Sequence, residues 1–170
     1  KVKLSASQSF TVTVNAINDA PVADSVSSET SEDQEVVIAL TASDVDGDNL
    51  TFSLGDSPNN GVVEIDGSFA TYTPGSNFNG PDSFTFTVSD GELVDTAIVS
   101  VTVNAVNDAP VLATVSDVVF DEDESDSITL TANDVDGDDL TYTISEGTDI
   151  TATLDGISVT FSTPENFNGS

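Results

Sequence analysis

Asp44-Val45-Asp46-Gly47-Asp48 sets three carboxylates at alternate positions around a glycine, and Asp134-Val135-Asp136-Gly137-Asp138 repeats the arrangement downstream. Carboxylate oxygens in this pattern are hard ligands. Calcium accepts six to eight such oxygens, whereas magnesium gives up its own water reluctantly, so the pattern favours calcium. An EF-hand loop is excluded: its sixth place would be Asn49 instead of Gly, and its twelfth would be Gly55 or Ser145 where a bidentate Glu is required. The competing reading is an Asp-Gly turn that joins two strands and binds nothing.

Further acids recur with these loops. Asn18-Asp19 returns as Asn107-Asp108, and Glu32-Asp33 as Glu122-Asp123; Asp82 and Asp90 stand near turn residues of the first copy. Against 31 Asp and Glu there are two basic residues, Lys1 and Lys3, and the net charge is −29. Two unpaired carboxylates about 4 Å apart repel by roughly 4 kcal/mol at an effective dielectric near 20. Residues 4–170 contain no Lys or Arg to offset this, so a neutralising cation is expected from solution. A soluble surface adapted to high salt would also be acidic, but its acids would be spread evenly instead of recurring in clusters.

The same charge makes nucleic acid and anionic membrane surfaces poor partners, since both reward cations. Cys, His and Trp are absent, which removes the usual ligands of zinc, copper and haem and any nucleophile–histidine pair. Without disulfides, an extracellular domain needs another clamp, and bound metal is one. The sequence contains neither a run of eighteen apolar residues nor a basic-then-apolar leader, so membrane insertion is not expected and any secretion signal would lie outside these residues.

The elements that must hold the acids are strands. Apolar residues alternate at Phe10, Val12, Val14; Val36, Ile38, Leu40; Leu50, Phe52, Leu54; Phe84, Phe86, Val88; and Val99, Val101, Val103, with Thr and Ser between them. Gly, Pro, Asn and Asp punctuate at intervals of about ten residues, as in a sandwich of about seven short strands. The stretch from Val12 to Val22 returns almost unchanged from Val101 to Val111, and Asn77-Phe78-Asn79-Gly80 returns at Asn166 to Gly169. A repeat of about 90 residues is one small domain. The expected organisation is the last strand of a preceding repeat in 1–16, a complete repeat in 17–105 and an incomplete one in 106–170 lacking its last two strands. Ending there would leave core faces bare, so either the chain is expected to continue or a neighbour supplies strands; residues 9–14 resemble such a strand.

Within the complete repeat, strands are expected near 21–28, 35–43, 49–54, 61–66, 68–73, 82–89 and 94–104. Counting up and down, Asp44 to Asp48 and Asp90 fall at the linker end, and Glu32-Asp33 and residues 77–82 at the other. Stacking repeats end to end then directs Glu32, Asp33 and Asp82 of one repeat toward Asn107, Asp108, Asp134, Asp136 and Asp138 of the next.

With Tyr72-Thr73-Pro74 and Asn77 to Gly80 added to the Asn-Asp-Ala-Pro linker and the Asp-Val-Asp-Gly-Asp loop, residues 9–170 resemble the cadherin-like tandem repeats of large bacterial secreted or surface adhesins. The resemblance implies all-β, tandem Ig-like or cadherin-like Greek-key sandwiches that calcium stiffens. It also sets Asp19 and Asp108, Glu32 and Glu122, and the pairs Asp44/Asp46 and Asp134/Asp136 at cadherin ligand positions. Two departures stand out: Ala20 and Ala109 replace a second linker Asn, and the Asp-Arg-Glu motif is absent, with only Asp82 near its place.

The expected function is a non-enzymatic extension or adhesive stalk outside a bacterial cell, its partners being neighbouring repeats, with self-association or cell-surface glycans as further candidates. Repetition adds length rather than chemistry. The metal set is Asn18, Asp19, Glu32, Asp33, Asp44, Asp46, Asp48, Asp82, Asp90, Asn107, Asp108, Glu122, Asp123, Asp134, Asp136 and Asp138, with Ca2+ as the cofactor. The alternatives are a polysaccharide-binding module of a secreted enzyme and a fibre subunit completed by a neighbour's strand. Sugar sites display exposed aromatics. Here Phe10, Phe52, Phe69, Tyr72, Phe84, Phe86, Tyr142 and Phe161 read mostly as inward, and Phe78 and Phe167 as plugs at the end of the sandwich.

Overall fold

The computed structural model describes residues 9, 11–145, 147–167 and 169, and every regular element among them is a strand. The chain divides into two compact units, Lys1–Ala105 and Val106–Ser170.

Unit 1 contains β1 (Val22–Ala23), β2 (Val26–Ser31), β3 (Val36–Ala39), β4 (Ala42–Ser43), β5 (Thr51–Leu54), β6 (Gly61–Asp66), β7 (Phe69–Pro74), β8 (Gly80–Ser89) and β9 (Val94–Asn104). One sheet runs β2-β9-β8-β5 and the other β3-β7-β6, with β1 and β4 paired separately. Alternation builds the core. Along β8 and β9 the side chains of Phe84, Phe86, Val88, Val99, Val101 and Val103 are all buried, with Ser and Thr mostly between them on the outer face. Facing them, Ile38, Leu40, Ala70 and Tyr72 close the core from the second sheet side. The rings stack, Phe52 on Phe86 at 6.2 Å and Tyr72 on Phe84 at 6.4 Å between centroids.

Two strands expected as single runs are broken. Residues 21–28 become β1 and β2 because their ends join different partners: β1 pairs antiparallel with β4, whereas β2 lies parallel to β9, Val26 opposite Val99. Residues 35–43 become β3 and β4, separated where the Leu40 amide donates to the Ser68 carbonyl at 2.8 Å. Hydrophobic period reports which face a residue takes, not which strand it pairs with. Residues 11–20, partly expected as a strand, contain none, and Val12 and Val14 are exposed. Phe10 and residues 1–8 lie outside the described residues.

Unit 2 contains β10 (Val111–Leu112), β11 (Ser125–Thr129), β12 (Ala132–Asn133), β13 (Thr151–Asp155) and β14 (Ser158–Ser162). The sheet β11-β14-β13 and the pair β10-β12 reproduce β3-β7-β6 and β1-β4. Residues 113–120 and 140–145, the counterparts of β2 and β5, form no strand. In unit 1 those strands are hydrogen-bonded by β9 and β8, and the described residues of 106–170 form no equivalent of either.

Candidate metal centre

The loop between β4 and β5 is built around one side chain. Asp44 Oδ1 accepts hydrogen bonds from the amides of Asp46 (2.8 Å), Gly47 (2.9 Å) and Asp48 (3.3 Å), an Asx-type turn completed by Gly47 at φ 83°. The turn gathers carboxylate oxygens of Asp44, Asp46 and Asp48 within 4.8 Å of one another. Asp44 Oδ2 is buried and has no hydrogen-bond partner among the described residues. A buried acceptor without a donor costs about 1–3 kcal/mol, and a bound ion is one way to satisfy it.

Two other segments reach the same end of unit 1. The Asp19 amide donates to Asp46 Oδ2 at 2.8 Å, and Asn18 Nδ2 donates to Asp90 Oδ2 at 2.9 Å. The amides of Leu93 and Glu92, each at 2.7 Å from Asp90 Oδ1, together with Asn18 hold the Asp90 carboxyl below the ordinary Asp range. The linker, the β4–β5 loop and the β8–β9 turn thus bring Asn18, Asp19, Asp44, Asp46, Asp48 and Asp90 to one pole. Asp95 joins them unanticipated. It accepts the Ala23 amide at 2.8 Å, and this bond, with that of Thr96, lowers its pKa. No spacing in the sequence marks Asp95, because its partner lies 72 positions away.

Unit 2 repeats the local geometry. Asp134 Oδ1 accepts the amides of Asp136 (3.0 Å) and Asp138 (3.4 Å), Gly137 takes φ 79°, and the Asp108 amide donates to Asp136 Oδ2 at 2.6 Å. Asn107 Nδ2 donates to the Asp108 carbonyl at 2.9 Å.

Of the other acids of the expected metal set, Asp33, Asp82, Asp123 and Glu32 accept hydrogen bonds within their own unit. Asp33 and Asn77 both adopt left-handed φ, 57° and 54°, and the Asn77 amide donates to Asp33 Oδ1 at 3.0 Å. Asp123 and Asn166 reproduce this pair in unit 2, with φ 62° and 58° and a 3.0 Å bond. Glu32 is 3% exposed and accepts Asn79 Nδ2 at 3.5 Å, whereas Glu122 is exposed. Asp82 is buried inside unit 1. Burial alone would raise its pKa, but donors from Ser83, Asn60, Tyr72 and Asn59 outweigh it and hold the carboxyl below the ordinary range.

Among the aromatics, Phe78 is half-buried against the core, Phe167 is half-buried in unit 2, and Phe52, Tyr72, Phe84 and Phe86 face inward. Phe69, expected inward, is 53% exposed, because β7 presents it on the outer face at the hairpin with β6.

The model of a family described as bacterial Ig domain matches residues 18–102 and again 107–170. Among solved structures, an endo-fucoidan hydrolase from glycoside hydrolase family 107 is 25% identical, with a TM-score of 0.43 over 86% of this chain and 25% of its own. Human protocadherin-24 EC1-2 is 20% identical, with a TM-score of 0.43 over 70% of this chain and 61% of that one. Domains 4–9 of the surface layer protein SbsC are 16% identical, with a TM-score of 0.32 over 88% and 27%. The chain thus spans about a quarter of the hydrolase chain it matches. No curated protein matches the sequence.

Proposed function

The chain belongs to the bacterial Ig domain family and carries that domain in tandem, and from that premise we propose that it is a calcium-binding, non-catalytic spacer of an extracellular bacterial adhesive or surface protein. The observation that carries the reading is the Asp44 carboxylate: one oxygen organises the turn, and the other is buried without a donor beside the carboxylates of Asp46 and Asp48. An all-oxygen, anionic donor set of this kind fits a hard cation and offers nothing to a soft one. Asp44, Asp46 and Asp48 would hold the ion in unit 1, with Asp134, Asp136 and Asp138 their counterparts in unit 2.

Calcium supplies positive charge where the chain has none of its own. Neutralising Asp44, Asp46 and Asp48 removes their mutual repulsion and fixes the turn on which the linker amide of Asp19 rests. The effect is stiffness near the linker, a property useful to a stalk and irrelevant to catalysis.

The test is a calcium titration of the 170-residue chain followed by melting temperature. With a dissociation constant on the order of 10⁻⁴ to 10⁻³ M, 10 mM calcium should raise the transition by several degrees. Asp44→Asn, which keeps the side chain's size, should lose most of that rise. Identical melting in chelator and in 10 mM calcium sinks the proposal.

A further inference from the structure

A pull on the chain reaches unit 1 through the segments that enter and leave it, and the topology joins those two segments directly. The entering strand β2 lies beside the leaving strand β9, and the pair is parallel, from Val26 opposite Val99 to Ser31 opposite Asn104. The attachment runs past the ladder at both ends. Asp95, near the start of β9, accepts the Ala23 amide at 2.8 Å, and the Asn104 carbonyl, at the end of β9, accepts the Glu32 amide at 2.9 Å. β9 thus holds the entering chain from Ala23 to Glu32. β9 is itself anchored, paired with β8 from Val94 to Val103 and burying Val99, Val101 and Val103. β2 is not: Val26 is its single apolar residue, and none of its six residues is fully buried. Backbone hydrogen bonds, more than core packing, keep β2 in place.

We propose that unit 1 bears tension, with β2 and β9 as a clamp that resists extension of the chain. Tension draws β2 backward through Val26 and β9 forward through Asn104. Because the strands are parallel, the two pulls oppose each other along one axis, and the ladder is loaded in shear. An extended backbone barely stretches, so the bonds share the load and must fail together. In an antiparallel pair the two pulled ends would meet at one end of the ladder, and the bonds would open one after another. The Glu32 amide sets the phase of the ladder: bonding direction alternates along a strand, so Ser28 and Thr30 also turn their amides toward β9. The spacer reading supplies only the source of the load. The clamp itself requires no metal and stands whether or not calcium binds.

The experiment pulls the 170-residue chain in optical tweezers along two directions. The sequence has no Cys, so paired substitutions at exposed positions define each direction. Handles on Ala16→Cys and Ala105→Cys load unit 1 end to end, whereas handles on Ala16→Cys and Glu92→Cys, in the β8–β9 turn, peel the same strand from the linker end. Unit 2 lies beyond both spans. At one constant force the end-to-end lifetime should exceed the peeled lifetime at least about tenfold, because several hydrogen bonds must break in a single step. That order should hold in chelator and in calcium alike, so an absent calcium effect on melting would refute the metal reading and leave the clamp untouched. Ser28→Pro, which removes one ladder amide, should bring the end-to-end lifetime down toward the peeled value. Equal lifetimes in the two directions, or a longer peeled lifetime, overturn the proposal, as does a folded Ser28→Pro with the wild-type end-to-end lifetime. Should Ser28→Pro fail to fold, the comparison of directions decides, since it leaves the ladder intact.

Discussion

Tyr72 Oη donates a 2.9 Å hydrogen bond to Asp82 Oδ2 across the sandwich, from β7 of one sheet to β8 of the other. Tyr72 is fully buried and Asp82 is 8% exposed. Burial, and then the Asp82 bond and charge, push the Tyr72 hydroxyl pKa well above its ordinary value, so it remains a donor across the accessible pH range. The carboxylate also accepts the amides of Asn59, Asn60 and Ser83, which ties the β5–β6 loop to the interior.

The pH dependence of stability follows from that pair. The folded-state pKa of Asp82 is depressed, so its contribution is present above the unfolded value of about 3.9 and is lost as pH falls through the folded value. The urea midpoint should therefore decline as pH drops below about 4, and the decline should be shallower in Asp82→Asn. Asp82→Ala should cost about 3 kcal/mol, because it strips acceptors from several buried donors at once. A pH profile identical in wild type and Asp82→Asn would refute the assignment.

Gly61 and Gly67 open and close β6 and its hairpin, and they should respond differently to alanine. A Cβ on Gly61 would sit 2.6 Å from the Thr73 carbonyl oxygen and 2.7 Å from the Tyr72 ring. Gly61→Ala should cost about 2 kcal/mol or more, since the buried ring cannot yield without disturbing the core. Gly67 has open space around it but φ +57°, so Gly67→Ala should cost about 1 kcal/mol and Gly67→Asn less. Chemical denaturation of the three variants ranks them.

Asp33 and Asp44 separate turn-making from ion-holding. Asp33→Ala removes the bond to the Asn77 amide and should lower stability by about 1 kcal/mol while leaving the calcium-dependent rise in melting temperature unchanged. Asp44→Ala should abolish most of that rise. If both variants respond to calcium alike, the division of labour proposed for these acids is wrong.

Phe78 packs partly buried against the core. Phe78→Ala should act on stability, by about 2 kcal/mol in a denaturant titration. A sugar-binding signal lost with Phe78→Ala and no change in stability would point to a carbohydrate site instead.

The repeat, the all-β class and the linker-end turns were legible in the residues because each is local or periodic. Alternation along 84–88 and 99–103 states which side chains face inward. Asp44, Asp46, Gly47 and Asp48 encode their own turn, since donor and acceptor lie within four positions. Up-and-down counting even brings Asn18 and Asp90 to one end, where they share a bond. Chain folding in three dimensions decided the rest. Asp33 and Asp82 are the same residue type beside similar turn residues, and nothing local states which partner each will meet. Asp33 meets an amide 44 positions away, and Asp82 meets Asn59 and Asn60 more than twenty positions before it. The breaks between β1 and β2 and between β3 and β4 likewise record a change of partner, which a period of two cannot express because it fixes the face of a residue and leaves its neighbour across the ladder free.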